Sequence, residues 1–160
     1  MFKLIKIDNA RMNVPEPEYY VCGASITCGQ ALYLDGYSLK LGGYDTNFSR
    51  KNPVEFIAMA DGKNGETIPV CRVNNAQVWE TTAEGSESLY GRANPGTTVI
   101  VSQDRIVQSG SGDSLQNSHA IVVSKGEAFA YDTNGNATSG YVRIRFLCNF
   151  GMDASDGKTG

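Results

Sequence analysis

Apolar residues in this chain recur at every second position, in short runs broken by Gly, Asn, Asp and Ser. That period belongs to strands whose two faces meet different surroundings. No run of about 11 residues or more carries the 3.6-residue period of an amphipathic helix. The best helical stretch, residues 82–90, is short and contains Gly85. Many short strands joined by regular turns predict an all-β fold, a small barrel or sandwich. The 18 glycines among 160 residues suit that number of turns. A chain this long buries about 70% of its unfolded surface, so it needs neither metal nor disulfide to hold a core.

Phe2, Leu4, Ile5 and Ile7 open the chain with a β-prone segment. Pro15 and Pro17 each remove a backbone donor and bias the preceding residue to extended conformations. Residues 1–20 therefore read as an extended arm. Ala31–Leu34, the turn Asp35-Gly36 and Tyr37–Leu41 read as a hairpin. Phe56–Ala60, Glu66–Val73 and Gln77–Thr81 read as strands, with Pro69 placing part of its strand at an edge or bulge. Thr97–Val101, Arg105–Gln108, Ala120–Val123, Glu127–Tyr131 and Tyr141–Phe146 follow, with turns at Lys125-Gly126 and Asp132–Ala137 and a flexible loop at Ser109–Ser114.

The chain looks internally duplicated. Cys28–Leu34 resembles Pro95–Val101, Phe56–Ala60 resembles Ala120–Val123, and Thr67–Val73 resembles Tyr141–Phe146. The predicted organisation is an arm over 1–20, β halves over 21–90 and 91–150, and a flexible tail over 151–160. Two small barrels and one shared sandwich both satisfy the pattern.

Binding to phosphate backbones needs a concentrated positive face. The 14 Lys and Arg are scattered and the formal net charge is −3, which speaks against nucleic acid. No stretch approaches the ~18 apolar residues of a membrane span. Charges at Lys3, Lys6 and Asp8 interrupt the apolar opening, unlike a signal peptide. The expected location is a host cytoplasm until assembly. Cys22, Cys28, Cys71 and Cys148 include no Cys-x-x-Cys pair; they read as reduced, small apolar side chains rather than zinc ligands.

His119 is the only histidine, and no Gly-x-Ser-x-Gly elbow accompanies it. It reads as a strand-end residue rather than a general base. Asp132–Asn136 opens like a calcium loop, but Ala137 and Arg143 stand where that loop needs Gly and Glu. No cofactor or metal is expected, and no enzymatic activity. Tyr19, Tyr20, Tyr33, Tyr37 and Tyr44 cluster in the first half. They read as sheet-stabilising aromatics, or alternatively as a platform for surface glycans or a protein interface.

The residues Gly29-Gln-Ala-Leu-Tyr-Leu34, Pro53–Asn74, Val78-Trp-Glu-Thr81 and Tyr141-Val-Arg-Ile-Arg-Phe146 resemble the head decoration proteins of tailed bacteriophages. The resemblance spans about residues 20–147. It implies a non-enzymatic protein of the outer capsid surface that reinforces contacts between major capsid subunits, often as a homotrimer. The proline-bearing arm, the loop near 109–118 and the tail depart from that pattern. An alternating apolar arm suits strand addition to a partner. Phe2, Leu4, Ile5, Ile7, Met12, Val14, Pro15 and Pro17 are accordingly the expected capsid-facing residues. Removing residues 1–18 is then expected to leave the β body folded and to abolish capsid binding. Another virion part, in the tail or baseplate, and a carbohydrate-binding adhesive module are the alternative readings.

Overall fold

The computed structural model describes residues 1–7, 15–45, 51–109 and 118–147, with the backbone alone for Lys6 and Ile7. The strands are β1 (Lys3–Ile7), β2 (Glu18–Cys22), β3 (Ala31–Asp35), β4 (Ser38–Leu41), β5 (Gly43–Tyr44), β6 (Lys51–Asn52) and β7 (Phe56–Ala58). They continue with β8 (Thr67–Arg72), β9 (Gln77–Ala83), β10 (Thr98–Val101), β11 (Ile106–Ser109), β12 (Ala120–Tyr131) and β13 (Ala137–Phe146). One helical turn, α1 (Glu87–Tyr90), lies between β9 and β10. The fold is all-β, as the two-residue period predicts.

The strands close into two rings of the same design. The first is a barrel in the order β2-β4-β3-β7-β8. The second runs β9-β11-β10-β12-β13 and closes through β13–β9 pairing. In each ring the first strand runs parallel to the third: Cys22 faces Leu39 in one and Ala83 faces Ile106 in the other. Every other pairing within the two rings is antiparallel. The strands matched by sequence pattern, β3 with β10, β7 with β12 and β8 with β13, hold equivalent places. The second ring begins at Gln77, inside the stretch assigned from sequence to the first half.

Each barrel fills itself with inward side chains. Cys22, Ile26, Leu32, Leu39, Phe56, Ala58, Ile68 and Val70 form the first interior. Arg72 lies over the Phe56 ring, 4.7 Å from its centroid, and closes one mouth. Its guanidinium donates to both carboxylate oxygens of Glu18, at 2.8 and 2.9 Å. At the other mouth the turn after β7 folds inward: Ile26 and Gly62 exchange backbone hydrogen bonds at 2.8 and 2.9 Å. The second core contains Trp79, Val99, Val101, Ile106, Val142, Ile144 and Phe146. It also takes Ala31, Ile57 and Cys71, which point outward from the first barrel. The barrels thus share one apolar seam. Gln77, fully buried there, accepts from Trp79 Nε1 at 3.0 Å and donates to the Arg72 carbonyl at 3.2 Å.

The N-terminal arm is corrected at its beginning. Residues 3–7 are extended, but as a strand paired to β9, with Leu4 facing Trp79. Phe2 is 4% exposed and its ring lies 5.4 Å from that of Phe146. An alternating apolar segment this close to an open strand edge gains more by pairing there than by staying in solvent. Removing residues 1–18 would therefore take away β1, part of the core and the start of β2, and the β body is not expected to survive it.

Lys125-Gly126 is not a turn either. β12 runs through it, with irregular register between Lys125 and Ala128. Gly126 is needed for close approach, since a Cβ there would stand 2.9 Å from that of Tyr141. Helix is confined to the end of residues 82–90, because β9 continues to Ala83. Pro69 has its carbonyl bonded to Met59 N–H at 3.0 Å. β8 lies between β2 and β7 in a closed barrel, so Pro69 is not at the expected free edge; its missing donor faces the stretch just past the end of β7, where it removes no bond from the β7–β8 ladder. The loop from Gly110 and the tail from Gly151 lie outside the described residues.

Candidate interaction surfaces

On the outer face of the first barrel, successive cross-strand rows have different fates. Ala31 and Ile57 pair directly, Ile57 pairs with Cys71, and this row is covered by the second barrel. The next row on that face is Met59, Pro69 and Tyr19: Tyr19 pairs with Pro69, and Pro69 is bonded to Met59. Val21, two residues along β2, shares the face. This row is open. Tyr19 is 64% exposed, Met59 44% and Val21 41%. Met1, also half-exposed, stands over Gly29 at the Met59 end. Contiguous exposed apolar surface of this kind marks interaction sites on soluble proteins.

The second barrel supplies an internal control. Cys22 corresponds to Ala83 through the matching parallel pairs, so Tyr19 corresponds to Glu80. Arg143 faces Glu80 as Pro69 faces Tyr19. There the pair is ionic, Arg143 Nε to Glu80 Oε2 at 3.2 Å, with Arg143 45% exposed. The fold therefore accepts a solvated pair at this place and does not require the apolar row.

The second barrel carries a different apolar surface. β10 pairs with β12 only at Ala120 and Ile121, and β9 pairs with β13 from Gly140 onward. Beyond those points β12 and β13 continue as a two-stranded ribbon. Its first-barrel counterpart, β7 with β8, is cut short by the inward turn. Phe129 and Tyr131 are 47% and 62% exposed on the ribbon, and Tyr141, 42% exposed at its base where β13 still pairs with β9, has its ring 5.2 Å from that of Phe129.

The ribbon is held firmly at its base. Tyr90 donates its hydroxyl to the Gly126 carbonyl at 3.0 Å, and a Cβ at Gly140 would overlap the Tyr90 ring. Lys125 Nζ lies 4.6 Å from the same ring centroid and donates to the Gly91 carbonyl at 3.1 Å. Ser139 Oγ accepts from Gly85 N–H at 3.0 Å. Asp132 closes the tip, its Oδ1 accepting from Asn134 and Asn136 N–H at 2.8 and 2.9 Å. The resemblance to a calcium loop thus comes from a carboxylate that serves a turn.

Among the described residues, those expected to face a capsid are not gathered on one surface. Phe2 and Leu4 pack in the chain's own core, and Ile5 is half-buried in β1. Ile7 lies in β1, Pro15 is half-buried and Pro17 exposed, while Met12 and Val14 fall outside the described residues. The tyrosine cluster is also dispersed. Tyr20 stacks on Phe56, with centroids 5.3 Å apart, and donates to Glu18 at 2.7 Å. Tyr37 is 96% exposed at the β3–β4 turn, and Tyr44 bridges to Ser102.

Cys22 and Cys71 are buried free thiols whose pKa burial pushes up, and Cys28 is exposed. Cys148 is outside the described residues. His119 is buried between the barrels. Its Nδ1 accepts from Val101 N–H at 3.1 Å, and Nε2 lies 2.8 Å from the Asn52 carbonyl, to which the matching tautomer donates. Burial lowers its pKa to about 4. The surface row escapes a linear reading because it depends on which strands become neighbours, whereas the ribbon joins strands consecutive in the chain and only its exposure is hidden. The local signals are the alternation of Tyr19 with Val21 and of Phe129 with Tyr131.

Among the described residues no helix is long and apolar enough to cross a membrane. No protein-family model matches the chain, and no curated protein matches it in sequence.

Proposed function

We propose that this chain is a structural protein of a tailed-phage virion, which decorates the outer capsid surface and reinforces contacts between major capsid subunits. The observation that carries the reading is that each barrel bears an exposed apolar surface where its counterpart has none. A subunit with two such surfaces is suited to repeated protein contacts, and many weak contacts on a lattice add up to stable attachment. The motif resemblance supplies the capsid. Its residues fall on β3, β7, β8, β9 and β13, the framework of both barrels. Pro17, exposed just before β2, remains available to a capsid partner.

The test is co-sedimentation of the intact protein with undecorated capsids of its own phage. Saturable binding, at a multiple of three copies per repeating capsid unit, is the expected result for a trimeric decorator. A folded protein that leaves the capsids bare would refute the reading.

A further inference from the structure

We propose that copies of this chain associate head to tail, the aromatic ribbon of one copy seating on the open Met59–Pro69–Tyr19 row of the next. The inference rests on the assembly reading above and names the partner of both surfaces.

The row is the continuation of Ala31, Ile57 and Cys71, on which the chain's own second barrel already sits. The covered half of this face already packs against the second core, and its uncovered half continues the same apolar face, so second-barrel strands of another copy are the occupant it points to. The chain's own ribbon does not reach it, because Tyr19 on the row and Tyr131 on the ribbon are both well exposed within one copy. Another molecule must supply the contact. Both surfaces are preorganised, the row on a closed barrel and the ribbon by Tyr90, Lys125 and Ser139, so little ordering cost opposes their union. Two unlike patches that fit each other make a heterologous contact, which closes into a ring or runs on as a filament according to the angle between copies.

The experiment uses the intact protein and sedimentation over a wide concentration range. Tyr19→Lys disables the row and Phe129→Lys disables the ribbon. Both sites are exposed, so circular dichroism and the unfolding midpoint should stay near those of the parent; Tyr19→Ser and Phe129→Ser serve where a lysine variant does not fold. The parent is expected to associate and each single variant to be monomeric. An equimolar mixture of the two variants keeps one intact contact per pair and is expected to stop at dimers. A parent that stays monomeric, a single variant that assembles like the parent, or a mixture that stays monomeric would overturn the proposal.

Capsid binding is read separately. Loss of capsid binding by Tyr19→Lys while self-association persists would assign the row to the capsid subunit and likewise overturn it. A parent that associates as described yet leaves capsids bare would instead refute the capsid reading and leave the head-to-tail contact standing.

Discussion

Gly29 and Gly96 occupy the same place in two copies of one structural unit. Gly29 N–H donates to the Ala58 carbonyl at 2.8 Å and Gly96 N–H to that of Val122 at 2.9 Å. The bonds around them repeat as well: Gln30 to Thr27 matches Thr97 to Asn94, and Ala58 to Gln30 matches Val122 to Thr97. Their φ angles are 89° and 88°. An L residue at either position is strained, yet the surroundings differ. A Cβ at Gly96 meets nothing within 4 Å, whereas one at Gly29 lies 3.0 Å from Met1 Cβ and 3.3 Å from the Phe2 carbonyl oxygen. Gly96→Ala should cost about 1–2 kcal/mol, the backbone term alone. Gly29→Ala should cost more, because it also displaces the Phe2 backbone that bonds to it. Urea unfolding of both variants checks the order, and equal losses would contradict the role given to Gly29.

Phe2 anchors the opening strand to the core. Its ring packs against Phe146, and its N–H donates to the Gly29 carbonyl at 2.8 Å. Phe2→Ala should lower stability by about 3–5 kcal/mol, the range for a buried phenylalanine. Ile5→Ala, at a half-buried position in the same strand, should cost clearly less. Chemical denaturation separates the two. Near-neutral behaviour of Phe2→Ala would restore the reading of residues 1–7 as a detachable arm.

How much of this was legible in the sequence depends on the range of the interaction. The Asp35-Gly36 hairpin is local, and it appears where its turn residues require. The duplication was legible because each half repeats the same strands in the same order. The core position of Phe2 is not legible, because alternation states that one face is apolar but not which surface covers it. Gly126 looked like a turn because glycine serves equally where Tyr141 and a strand irregularity crowd the backbone. The open row on the first barrel was hidden for a related reason. Met59 and Pro69 meet across the β7–β8 hairpin, but Tyr19 is distant in sequence, and only the β2–β8 pairing adds it to the row.

His119 gives the barrel seam a predictable acid sensitivity. Its folded pKa, about 4, lies below the ordinary value of 6.5 because burial opposes the charge; the nearby Lys51 lowers it further, while the bond to Asn52 opposes the shift. The unfolded chain therefore takes up this proton first as pH falls. The stability conferred by the neutral ring is complete above about pH 6.5 and is lost progressively toward pH 4, by as much as about 3 kcal/mol. Protonation also removes the acceptor that Nδ1 presents to Val101. His119→Gln should be less stable at neutral pH, and its loss between pH 6.5 and 4 should be smaller than the parent's. Denaturant midpoints at the two pH values provide the comparison. Parallel losses in parent and variant would remove His119 as the source.

The ribbon offers a test of how α1 supports a distant surface. Tyr90 is 6% exposed, and its hydroxyl satisfies the Gly126 carbonyl where β12 is irregular. Tyr90→Phe removes that bond but keeps the ring, so a loss of about 1 kcal/mol is expected. Gly140→Ala is more disruptive, since its methyl group overlaps the ring and the atoms in the way are an aromatic wall rather than a flexible chain end. The ring must move, and α1 with it. Hydrogen exchange should quicken in β12 from Lys125 to Tyr131 in both variants, and more in Gly140→Ala. Exchange in β7 and β8 should stay at the parent's rate, because the first barrel closes without α1. Uniformly faster exchange across both barrels would mean that α1 holds the whole seam together rather than the ribbon alone.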